Sequence, residues 1–121
     1  LRCLVGSEMC IRDSHRRFVL AQWQEEYQLE GYAQEEWVNN QRYQEADWHS
    51  LVTLWQHYNL HLVHIMKTSS TQQLTHTILG GRQGYLKPPI PETEPCTLEE
   101  LMKDYIAHLK HHLTQILQQI Q

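Results

Sequence analysis

A chain of 121 residues with a formal net charge of −4 has room for one domain and lacks the basic field that would draw it to nucleic acid or to an anionic membrane. No run of about 18 apolar residues occurs, so no membrane-spanning helix is expected. Two of the three cysteines fall in the first ten residues, which leaves no disulfide framework and makes a reducing, cytoplasmic setting the expectation. Nine histidines and four tryptophans are the chemical lead.

The first elements are set by Leu4 to Ser14, "LVGSEMCIRDS". Back-translated in a single frame, this stretch reads as the end of a transposase adapter used to make sequencing libraries. Residues 1–14 are therefore read as a non-native scar and excluded from fold reasoning, with the natural sequence expected to start near His15. Removing them deletes Arg2 and Arg12 against Glu8 and Asp13, so the net charge is unaffected. His15 to about Gln28 carries Phe18, Val19, Gln22 and Trp23 at helical spacing and reads as the last turns of a helix cut at its front. Residues 29–46 mix aromatics with amides without a sustained period, as in a long ordered loop.

Asp47 is placed to cap a helix running to about Met66. Its apolar stripe is Trp48, Leu51, Val52, Trp55, Tyr58, Leu62, Ile65 and Met66. Clustered Gly and Pro in residues 67–96 rule out a continuous helix, and the glycines lack the Gly-Lys-Ser/Thr of a phosphate loop. Thr97-Leu-Glu-Glu100 is a capping box, with Cys96 and Leu101 as a staple. The helix it opens runs to about Ile120, with Leu98, Leu101, Met102, Tyr105, Leu109, Leu113, Ile116 and Ile120 on one broad stripe. Helices over about 15–28, 47–66 and 97–120 predict an all-α fold, an antiparallel bundle.

On the last helix the wheel puts His112 inside the apolar stripe, His108 at its edge and His111 on the far side. His108 and His112, at i and i+4, stack one turn apart and can converge on one metal ion. The alternative is a polar face with one satisfied core histidine. On the middle helix His57 and His61 share the i, i+4 spacing without an apolar surround, and with His64 they read as a solvated face. His49 and His76 are isolated. The orientation of His15 cannot be judged from periodicity.

"NQRYQEADWHSLVTLWQHYNLHLVHI" followed by "TLEELMKDYIAHLKHHLTQIL", ending in His-Leu-x-His-His-Leu-x-Gln-Ile, resembles the DinB/YfiT-like superfamily of four-helix-bundle proteins. "HRRFVLAQ" and "GYAQEEWV" extend the likeness over nearly all of residues 15–121, although Ala33 stands where the family has aspartate. The resemblance implies an incomplete antiparallel four-helix bundle with its first helix missing. It also implies a divalent metal, zinc or nickel, held by three histidines. His108 and His112 match the pair in the final helix. The third ligand belongs to a Gly-His-Leu type segment nine or ten positions before His15, near Gly6, where the adapter-like stretch stands instead.

Three imidazoles and an exchangeable water would make an open Lewis-acid site. Some relatives resemble thiol S-transferases, so the intact protein is expected to be a metal-dependent transferase or hydrolase, with a small-molecule thiol or an electrophile as partner and a homodimer as its assembly. Trp37, Tyr43 and the 31–43 loop would shape the substrate mouth, or simply pack on the bundle. Asp104 would orient His108, or stand as a solvated charge. The alternative function is a non-catalytic metal-binding or interaction bundle. The chain as given is expected to be an inert fragment that binds metal weakly, exposes apolar surface and self-associates.

Overall fold

The computed structural model describes residues 2–29, 34–80 and 94–120. Residues 30–33 and 81–93, with Ala33 and most of the Gly- and Pro-rich stretch, lie outside them. The chain runs α1 (Arg2–Trp23), β1 (Glu26–Gln28), α2 (Gln34–Gln41), a 3-10 turn (Tyr43–Glu45), α3 (Trp48–Thr68), α4 (Thr71–Leu74), β2 (Thr77–Leu79), β3 (Cys96–Thr97) and α5 (Leu98–Ile120). The architecture is mostly helical, and a small sheet joins it. Among the described residues no helix is long and apolar enough to cross a membrane.

The helix caps fall where the side chains dictate. Asp47 Oδ2 accepts from the Ser50 backbone N–H at 2.9 Å and opens α3. At α5 the Thr97 N–H donates to Glu100 Oε2 and the Glu100 N–H to Thr97 Oγ1, which satisfies two helix-end donors reciprocally. Cys96 and Leu101 are both buried in the same core. A second capping box, Ser70 with Gln73, opens the short α4. Its Ser-x-x-Gln pattern lies in 67–96, where clustered Gly and Pro exclude a continuous helix but not a single turn.

The first helix departs from expectation at both ends. It begins at Arg2, so the residues excluded as a non-native scar form its first half, and Ile11 is fully buried in the core. It stops at Trp23 and not near residue 28, because Tyr27 turns into the core between exposed Glu26 and Gln28. That alternation is the period of a strand. The inward face of α1 carries Ile11, Phe18 and Ala21, whereas Val19 and Trp23 point to solvent. α1 packs on both α5 and α3 and is the element the others gather around. Phe18 meets Tyr105 edge to face at 5.8 Å, a ring pair contributing about 0.5–1.5 kcal/mol beyond its buried area.

The sheet has the order β1-β2-β3, with β1 parallel to β2 and β2 antiparallel to β3. Ile78, its central residue, is fully buried. Gly80 ends β2 at φ +69°, and a Cβ there would stand 2.9 Å from Gln28 Nε2, so only glycine fits without strain. Residues 34–45, read as loop, form α2 and the 3-10 turn, and Tyr43 packs with Leu51 and Val38 in a second small cluster. Of the expected α3 stripe, Leu51, Leu62 and Ile65 are buried, but Trp48 is exposed. The α5 stripe is buried from Leu98 only as far as His108, and Leu113 and Ile120 are exposed.

Candidate metal centre

α5 delivers His108 and His112 to the same side of the helix, as their spacing requires. Their ring centres lie 4.4 Å apart with planes tilted by 43°. The depth order is the reverse of the wheel expectation: His108 is buried, 5% exposed, and His112 is half-buried. On α1, Asp13, Ser14 and Arg17 stand beside His108. His111 is exposed, as its position predicts.

Burial pushes the His108 imidazole down to about pKa 4, with His112 adding to the effect and Asp104 opposing it. His112 is also held below its ordinary range, chiefly by burial, against a hydrogen bond with Gln115. Both rings are therefore neutral at pH 7 and carry a lone pair for ligation. His112 Nδ1 is buried without a hydrogen-bond partner, the kind of nitrogen a metal ion would satisfy.

Beside His108 lies a cleft of about 20 Å³ between α1 and α5, room for about one water-sized group. Asp13, Ser14 and Arg17 line it from α1, and Asp104 and His108 from α5. Arg17 is ion-paired to Asp13 at 2.8 Å, yet burial outweighs the guanidinium and raises the Asp13 carboxyl. Asp104 is not a solvated charge: it is 2% exposed and close enough to pull the His108 pKa up. Trp37 and Tyr43 do not line this cleft. Arg12 sits 4.4 Å over the Trp37 ring, and the Tyr43 hydroxyl donates to Gln41 Oε1 at 2.8 Å.

Two imidazoles sharing one ion through bonds of about 2.0–2.1 Å put their ring centres about 4.5 Å apart at a right angle and about 5.2 Å apart at the tetrahedral angle. The His108–His112 spacing fits the lower end. Among the described residues no group of three or more His, Cys, Asp or Glu side chains is arranged to hold a metal ion. Gly6, near which the third ligand is expected, brings no side chain.

No family model, curated protein or solved structure matches this chain. Its functional reading rests on the residues alone.

A second gathering of histidines was missed in the sequence. His15 reaches α3, where its Nδ1 hydrogen-bonds the Tyr58 hydroxyl at 2.7 Å and its ring meets His61 at 5.1 Å. His64 stacks beside His61 at 6.1 Å. The i, i+4 pair His57 and His61 was the only hint, and it pointed along α3. Nothing in the spacing shows which residue of another helix lies across from it.

Proposed function

We propose that this chain is part of a DinB-like four-helix bundle that binds a divalent metal, zinc or nickel, through His108 and His112. The observation that carries the reading is the pair itself: two neutral imidazoles 4.4 Å apart, one with a buried nitrogen left without a hydrogen bond. An ion held there acts as a Lewis acid on a bound water or thiol. His108 supplies its lone pair from a dry setting, and buried Asp104 one turn earlier positions that ring. Arg17 keeps a fixed positive charge at the cleft, where it favours an anionic group such as a thiolate. Asp13 and Ser14 belong to the stretch read as foreign, so on α1 the native surroundings of His108 begin near Arg17.

In the intact protein the residues ahead of His15 supply the third histidine, and the activity is thiol transfer to an electrophile. The test is to restore that natural sequence, load zinc or nickel, and assay a small thiol with an electrophile. Turnover should appear and should fall at least about 100-fold with His112→Ala. Turnover unaffected by His112→Ala removes the enzymatic reading.

A further inference from the structure

His15 on α1 and Tyr58, His61 and His64 on α3 come together on the α3 side of α1, away from the cleft at α5. The His15 and His61 rings stand 5.1 Å apart with planes at 81°. That is the separation of two imidazoles on one tetrahedral ion, about 5.2 Å. The stacked His61–His64 pair, at 6.1 Å, lies beyond it.

The chemistry around His15 fits a ligand. Its Nδ1 is committed to the Tyr58 hydroxyl, which leaves Nε2 as the ligating nitrogen. Metal-bound histidines are typically oriented in this way through their other ring nitrogen. Burial raises the Tyr58 pKa, so the phenol keeps its proton, and its oxygen can accept from Nδ1–H in the tautomer that ligation requires. Burial first, and His61 second, hold the His15 pKa below its ordinary value, so protons compete little at neutral pH. His61 is exposed, which leaves the remaining coordination positions open to water.

We propose that His15 and His61 form a two-histidine site for a divalent transition-metal ion, of the zinc, nickel or copper class, that clips α1 to α3. Imidazole donors select these ions over magnesium and calcium, which take oxygen ligands. The site is independent of the His108–His112 pair, since it uses other helices and other residues.

Nickel titration by calorimetry at pH 7.5 tests it, run on the full chain carrying His112→Ala so that the other pair is disabled. One equivalent should still bind. His61→Ala and His15→Gln should each abolish that binding, with circular dichroism showing the helices intact. Tyr58→Phe keeps the ring and removes the orienting hydroxyl, and should weaken binding about tenfold. His64→Ala and His57→Ala should leave it unchanged. Absence of binding in the His112→Ala background overturns the proposal, and so does binding lost with His57→Ala but retained with His15→Gln, which would assign the ion to α3 alone. Failure of the α5 pair reads differently: the unsubstituted chain would then bind no more nickel than His112→Ala does.

Discussion

His108 illustrates how far a single residue departs from its solution behaviour once a helix covers it. In the unfolded chain its imidazole takes up a proton near pH 6.5, and in the folded chain at about 4. Between those values the unfolded state binds more protons than the folded one. The contribution of His108 is therefore complete above pH 6.5 and shrinks as pH falls, by about 3 kcal/mol in all at pH 4. His112 and His15 are shifted in the same direction. Thermal unfolding followed from pH 7.5 to 4.5 should show a falling Tm, and His108→Gln should flatten that fall. A Tm that is level across the range for the unsubstituted protein would mean the imidazole is solvated. The i, i+4 relation of His108 to His112 was legible in the sequence because it is a property of any helix. Their relative depth was not, because it depends on which other elements pack against α5.

At the scale of elements, the clearest signals were those in which side chains satisfy helix-end backbone groups. Thr97→Ala removes one half of the capping box that opens α5 and should cost about 1 kcal/mol in denaturant unfolding, whereas Thr97→Ser should cost little. No loss with Thr97→Ala would show that sheet pairing alone sets the start of the helix. Asp47 and the α3 stripe were read for the same reason, since capping and 3.6-residue periodicity are local. The sheet was not legible: its strands are two or three residues long, too short for alternation to stand out from chance. The outward turn of Val19 and Trp23 was missed because four apolar or amide positions are compatible with more than one face, and Ile11, which selects the true one, had been set aside with the first fourteen residues.

At the scale of the molecule, the mostly helical class was readable from two long amphipathic segments, while the central place of α1 was not. Exposed on α3 are Leu54, Leu60 and Val63, and on α5 Leu113, Leu117 and Ile120. Apolar side chains in such numbers on two helices are costly to leave in water. Sedimentation velocity should show mass increasing with concentration in the micromolar range, and Leu117→Glu together with Ile120→Glu should reduce it. A single monomeric boundary at every concentration would show that this surface is tolerated. The expectation of self-association made from the truncated pattern keeps its physical basis, although α1 covers more of the core than that pattern allowed.

The sheet ties together backbone that is remote along the chain. Leu29 N–H reaches the Leu79 carbonyl, Thr77 N–H the Glu25 carbonyl, and Leu98 N–H the His76 carbonyl. Each link closes a loop of more than about twenty residues, and ordering such a loop costs entropy before any contact repays it. These three amides should gain protection late in refolding, after those inside α3 and α5, when followed by pulsed hydrogen exchange. The knot of short strands thus acts as the last clasp to fasten: it reports whether the whole chain has found its arrangement, while the helices report only that their own segments have.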